Sequence, residues 1–397
     1  MTMQTTTQRA PSFVPLSLLW LAGNSSRLTI LAIPPILALI IQDLGLSGTD
    51  VGILNAIPAA LFALVAVPGS LLIARVGAVR ALVVGLLVVA VGSALRGFAM
   101  DTLVLYSATV LMSAGVAVMQ PALPPLVSEW VPRRIGFATA IYTNGLLCGE
   151  ILPVVLAGTL LALLGGSWRG SLVAWSIVPA VVAVVVILAQ PRREAHRVST
   201  GRRWMPDWSD PLLWKVGLAL SANNQLYFCV NAFLPGLLLQ NGQSDLIGLA
   251  LSALNMGQLP GSLLLLAMAS RLERKKWPLI GAGMLGLLAL AGLSLTASPW
   301  TIVISAALVG FSCSIGLTLL LTLPALLVES DEVPAMSAGV FAIGYGIPVM
   351  VSLIAGMLWD FTGNAAFAFL PIAVALLPII IFTLAIDLSK QRFQTAY

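Results

Sequence analysis

A chain of 397 residues that is 59% hydrophobic and 9% charged, with a mean hydropathy of +1.01, cannot hide its apolar surface in a water-soluble core. Soluble domains carry about 25% charged residues, so the composition excludes a soluble enzyme and points to a polytopic membrane protein. The net charge of +5 falls in short loops between apolar runs, which excludes nucleic acid as its partner.

The N-terminus from Met1 to Ala10 is polar and lacks the basic segment, short apolar core and small-residue site of a cleaved signal, so the first apolar run is expected to stay as a helix. That run covers about 13–41, longer than the ~20 residues a spanning helix needs. Arg27 lies halfway along it, in Asn24-Ser25-Ser26-Arg27 before Pro34-Pro35. A guanidinium in hydrocarbon costs at least ~2.5 kcal/mol and cannot shed its proton, so Arg27 should face protein or water with an anion nearby. Eleven further apolar runs follow, at about 50–74, 79–99, 103–127, 135–163, 170–189, 212–240, 246–270, 277–297, 300–328, 335–358 and 365–387. The chain is therefore an all-α membrane protein with 12 predicted spans.

Orientation comes from Lys and Arg. Arg27 and Arg96 lie inside spans and Arg169 lies between spans five and six. The others lie at the N-terminus, in the even-to-odd loops or their edges, or at the C-terminus, among them Arg75, Arg80, Arg133, Arg134, Arg192 to Arg203 and Arg271 to Lys276. The opposite loops carry Asp43, Asp50, Asp101, Asp245 and Asp360. Both termini are thus expected in the cytoplasm of a cell with the chain in its plasma membrane. Trp168, Trp300 and Trp359 are expected at the outer interface, and Trp130 and Trp277 at the inner one. The basic segment 190–211 reads as a cytoplasmic linker held at lipid headgroups, between bundles 1–189 and 212–397 of six spans each.

The two halves repeat. Pro68-Gly69-Ser70-Leu71-Leu72 matches Pro260-Gly261-Ser262-Leu263-Leu264, Leu123-Pro124 to Glu129 matches Leu323-Pro324 to Glu329, and Asn24 with Pro35 matches Asn224 with Pro235. An even number of spans separates the copies, so the repeat is parallel, the pattern of secondary transporters that bind substrate at the midplane between halves. By this repeat the counterpart of Arg27 is Tyr227. Tyr227 and Asn231 share a helix face, four residues apart. Gly136, Gly145, Gly149 and Pro153 in span five, and Gly339, Gly344, Gly346 and Pro348 in span eleven, look like paired bending helices.

Cys148, Cys229 and Cys313 lie inside apolar runs and suggest neither a disulfide framework nor a metal site. The single histidine, His196, sits in a charged loop and cannot serve a buried triad, and no phosphate-binding glycine loop appears. No catalytic residue, metal or cofactor is expected. A receptor or scaffold would need a long soluble domain or tail, for which the sequence offers no candidate.

Six plus six spans, parallel halves and a basic central segment resemble the major facilitator superfamily. Ser70 to Arg80 is similar to that superfamily's gating motif, Gly-x-x-x-Asp-Arg-x-Gly-x-Arg, through Arg75, Gly77 and, one residue late, Arg80. Ala74 stands in the Asp position, so the resemblance does not imply an Asp-based latch here. Within the superfamily, Asn24 to Arg27 before Pro34-Pro35, Arg96, and Pro124-Pro125 before Val131-Pro132 and Tyr142 resemble the cyanate and nitroimidazole permease group.

The resemblance implies that spans 1, 4, 7 and 10 line a central cavity. Arg27 with Asn24 would then face Tyr227, Asn231 and Asn224. A planar fork of donors on one wall, with amide and phenol groups on the other, suits a small monoanion. Gln120, Tyr142, Asn144, Asn255, Gln258 and Tyr345 are further candidates, each equally able to bond a neighbouring helix. Glu150 lies about as deep as Arg27, roughly 20 Å from the cytoplasmic face at ~1.5 Å per residue. It is a structural counter-ion, a switch that substrate displaces or a proton neutralises, or a group unrelated to Arg27 with partners of its own. Arg96, near the outer end of span three, is expected to snorkel to headgroups or water, or else to attract anions or pair with Glu150 from the outer side. The expected function is secondary transport of a small anionic solute by a monomer, with lipids and protons as further partners. The alternative is an exporter of neutral or aromatic compounds, bound by Met112, Met119, Met256 and Phe228.

Overall fold

The computed structural model describes residues 13–46, 48–191, 204–295 and 298–386. His196 and the basic cluster Arg192 to Arg203, most of the predicted linker, lie outside the described residues, as do both termini. The described residues form helices and contain no strand. In order these are α1 (Phe13–Leu28), α2 (Leu37–Leu44), α3 (Gly48–Val76), α4 (Ala78–Gly97), α5 (Thr102–Trp130), α6 (Ile135–Leu163), α7 (Trp168–Ala189), α8 (Pro211–Gln240), α9 (Ile247–Leu272), α10 (Trp277–Leu295), α11 (Pro299–Leu327), α12 (Val333–Thr362) and α13 (Phe369–Ala385). Every predicted span is occupied by helix. Ten of the helices are long and apolar enough to cross a membrane by length and composition alone. The exceptions are α8, whose first half carries Lys215, Asn223, Asn224 and Gln225, and the first span, which is broken.

The break differs from the continuous first span that its apolar run suggests. α1 stops at Leu28, a 3-10 turn covers Pro34–Ile36, and α2 resumes at Leu37. Pro34 and Pro35 have no N–H for the carbonyls of Ile30 and Leu31, and their rings crowd those carbonyls. Backbone polar groups freed inside a membrane need protein partners. Ile30 and Leu31 turn back onto the Arg27 carbonyl, and the Thr29 carbonyl accepts a hydrogen bond from Arg96 Nη2 at 2.6 Å. Arg96 is therefore fully buried in the N-terminal half, at the end away from the basic loops, and does not snorkel to headgroups. α8 runs unbroken through its one interior proline, Pro235, so the repeat holds in position but not in the break.

The two halves use the same packing scheme. α1 lies on α6 as α8 lies on α12, α4 sits between α5 and α7 as α10 sits between α11 and α13, and α3 packs on α5 as α9 packs on α11. Large side chains such as Leu64, Val155, Leu288 and Met357 stay exposed on the flanks, where lipid would cover them. Trp277 and Trp300 are exposed at opposite ends, as interface anchors would be. Trp168 is a correction: it is buried, donates to Asp43 Oδ2 at 3.1 Å and lies 4.4 Å beneath the Arg169 guanidinium.

Close approach of α1 and α6 sets up the centre. A Cβ on Gly23 would collide with the Tyr142 carbonyl, one on Gly145 with the Trp20 carbonyl, and one on Gly149 with the Asn24 carbonyl. Both α6 and α12 run unbroken through Pro153 and Pro348. Of the glycines that read as bending points, Gly145 and Gly149 act here as contact points between backbones, whereas Gly344 meets the Leu220 side chain.

Candidate substrate-binding site

α1 and α6, pressed together through glycine, bring the two mid-span charges face to face. Arg27 Nε lies 3.6 Å from Glu150 Oε1, and both side chains are largely buried. That is an ion pair, but too long for a hydrogen bond. Arg27 Nη2 donates instead to the Tyr345 hydroxyl of α12 at 3.0 Å, and the guanidinium stands 5.7 Å from the centre of the Phe62 ring. Tyr345 is held among aromatic rings: Phe341 stacks on it at 5.9 Å, Phe62 meets it edge-on at 5.1 Å and Phe228 lies at 6.1 Å.

Glu150 is approached from the other half. The Tyr227 hydroxyl is 3.4 Å from Glu150 Oε2 and donates to Asn255 Oδ1 at 2.8 Å. Buried Gln258 stands in hydrogen-bonding reach of both Glu150 and Tyr227. The repeat placed Tyr227 opposite Arg27; in the structure Tyr227 meets Glu150, and Tyr345 meets Arg27.

Asn24, Gln120 and Tyr142 are buried with donor groups that have no hydrogen-bond partner, namely Asn24 Nδ2, Gln120 Nε2 and Tyr142 Oη; Arg27 Nε is likewise unpartnered. They sit on α1, α5 and α6, up to a few turns to the basic side of Arg27. Two other candidates are committed to the scaffold. Asn224 Nδ2 donates to the Gly344 carbonyl at 2.9 Å, tying α8 to α12, and Asn231 Nδ2 donates to the Tyr227 carbonyl of its own helix at 2.9 Å.

Below this cluster, on the side of the basic loops, the halves are joined. Thr143 and Thr318 hydroxyls meet at 3.0 Å, and Asn144 Nδ2 donates to Ser262 Oγ at 3.0 Å. Ser70 Oγ donates to the Trp204 carbonyl, and Glu273 at the end of α9 packs on Gly136 at the start of α6. Gly77 makes the α3–α4 turn at φ +88°, and its neighbours Arg75 and Arg80 are exposed.

Sequence reasoning did not pick out Phe62, an ordinary aromatic in an apolar run. Asn255 was among the candidates, through the three-residue spacing to Gln258 that puts both on one face.

Known proteins agree with this architecture. The chain is 26% identical over 383 residues to the 2-nitroimidazole transporter of Escherichia coli (strain K12), covering 93% of this chain and 94% of that one. It is 27% identical over 265 residues to the cyanate transport protein CynX of the same organism, covering 66% and 68%. In fold it resembles a crystal structure of the E. coli fucose:proton symporter FucP (TM-score 0.71, 18% identity, 94% and 97% covered) and one of FucP in the outward conformation (TM-score 0.73, 16% identity, 94% and 98% covered). Residues 19–242, more than half of the chain, match the model of the Major Facilitator Superfamily, and with its two six-helix halves the chain belongs to that family of membrane transporters.

Proposed function

We propose that the chain is a secondary transporter that binds a small monoanion at Arg27 and moves it by alternating access between the bodies 1–189 and 212–397. The observation that carries the anionic part is the donor surplus around Arg27. Its fork makes one loose ion pair and one bond to a neutral phenol, while Asn24, Gln120 and Tyr142 hold buried, unpartnered donors on α1, α5 and α6. Charge-assisted bonds from a planar fork are the strong ones, and a carboxylate or a cyanate-like ion can accept several at once. The name of one E. coli relative, a cyanate transport protein, is in keeping with this class.

Glu150 is the coupling group in this reading. A substrate anion that takes Arg27 leaves the carboxylate facing only Tyr227 and Gln258. One proton on Glu150 restores neutrality, and anion and proton then move together without net charge. The contacts that join the halves on the basic side support an outward-facing state, with that side and both termini in the cytoplasm of a plasma-membrane monomer.

A second reading has its own observation. Phe62, Phe228, Phe341 and Tyr345 form an aromatic wall beside Arg27, suited to stacking on a flat heterocycle. The other E. coli relative carries the name 2-nitroimidazole transporter.

Ligand-induced thermal shifts on the purified protein separate the two. With cyanate and acetate as probes, wild type should be stabilised, and Arg27→Lys, which keeps charge but loses the fork, should bind at least about tenfold more weakly. Wild-type affinity in Arg27→Lys would remove Arg27 from the site. A response to 2-nitroimidazole alone, lost in Phe62→Leu but kept in Arg27→Lys, would establish the second reading in its place.

A further inference from the structure

Arg96 is a second buried cation, and the transport site makes no use of it. It has no exposed surface, and among the described residues it forms no ion pair. Its Nη2 donates to the Thr29 carbonyl at 2.6 Å and to Ser93 Oγ at 3.2 Å. Its Nε and Nη1 are buried and have no partner. Arg96 lines a cavity of about 80 Å³ in the N-terminal half, at the end away from the basic loops. The other walls are Ile30, Ile33 and Pro34 from the break in the first span, Leu54 and Pro58 of α3, and Thr109 and Met112 of α5.

Three physical points converge there. A guanidinium does not lose its proton, so its charge has to be met where it stands. A buried charge without a partner is among the most costly features a fold can carry, and the carbonyl end of α1 meets it only in part. The cavity is wide enough for a small ion with a water or two, each water needing at least about 10–15 Å³, and too small for a drug-sized solute. Its walls are mostly apolar, and Arg96 with its two free N–H groups is the one charged side chain among them.

We propose that this cavity is a resident site for a small inorganic monoanion of halide size. The ion neutralises Arg96 and thereby holds the broken first span in register with α4. It is separate from the transported solute at Arg27, and the proposal does not depend on what that solute is. Bound, the ion would sit against Nε and Nη1 while Nη2 keeps the Thr29 carbonyl, so one guanidinium would brace both the ion and the break.

The test measures thermal stability of the full-length purified protein while sodium gluconate is exchanged for sodium chloride or bromide at constant ionic strength. Wild type should gain stability saturably, by a few degrees, with both halides. Arg27→Lys should respond as wild type does. Arg96→Gln should lose the response. Should Arg96→Gln not fold, Leu54→Phe serves in its place: it pushes a ring into the cavity, leaves the bonds to Thr29 and Ser93 alone, and should weaken the halide response at least tenfold. The proposal is overturned by a wild type indifferent to the exchange, by a response that survives in Leu54→Phe, or by one that disappears in Arg27→Lys.

Discussion

Arg27 and Glu150 are a pair in which neither partner is fully satisfied by the other. Their 3.6 Å separation gives Coulomb attraction without a hydrogen bond, and Tyr345, Tyr227 and Gln258 share the remaining contacts. Removing one member of a buried pair strands the other, at a cost of about 3 kcal/mol or more. Glu150→Gln should therefore lower thermal stability by that amount, and added substrate anion should restore much of it by taking the place of the lost carboxylate. In liposomes the same variant should bind substrate at least as tightly as wild type yet show no substrate-driven proton uptake. Persistent proton uptake in Glu150→Gln would end the coupling role. The equal depth of these two charges was legible in the sequence, because counting ~1.5 Å per residue from the same face needs no tertiary knowledge. Their partners from the other half were not. Tyr345 meets Arg27 only because of how α12 is rotated, and the repeat, which names Tyr227, carries no information on rotation.

Helix boundaries were legible for nearly every element, since length and hydropathy set them. The broken first span was not, because an apolar run does not register a lost backbone hydrogen bond. Its repair comes from Arg96, about 70 residues away in sequence, whose charge read most simply as lipid-facing. The glycines of α6 were visible, but their purpose was not, since a glycine that bends a helix and one that admits a neighbour look alike in sequence. Two substitutions separate these roles. Gly149→Ala would drive a methyl group into the Asn24 carbonyl, backbone against backbone, with no flexible side chain to yield. It should cost about 1–3 kcal/mol and weaken anion binding by prising Arg27 from Glu150. Gly158→Ala, farther along the same helix, meets nothing within 4 Å and should be neutral or stabilising by up to about 1 kcal/mol. Equal thermal denaturation of the two variants would refute the contact role of Gly149.

The proposed alternating access requires the basic-side contacts to part, and the latch proposed for them is not where the family motif would put it. Ala74 stands in the position of the motif's Asp, at the end of α3. In the other half, Glu273 at the end of α9 sits on Gly136, against the first turn of α6, where free N–H groups favour a negative charge. Burial in this contact raises the Glu273 carboxyl above its ordinary value, against the opposing pull of the Gly136 N–H and the Arg274 guanidinium. The sign follows directly. The closed arrangement binds the Glu273 proton more tightly than an open, solvated one, so closure is strongest below the ordinary carboxylate value of 4.5 and weakens as pH rises towards the raised value. Acidification on the side of the basic loops should therefore favour the closed latch. Spin labels at the exposed positions Arg134→Cys and Lys275→Cys would report the distance between the ends of α6 and α9. The short-distance population should grow on acidification, whereas Glu273→Gln, neutral at every pH, should hold a constant fraction in the closed state. An unchanged pH response in Glu273→Gln would assign it to another group, with the Glu150 site, probed in the same assay by Glu150→Gln, as the next to examine.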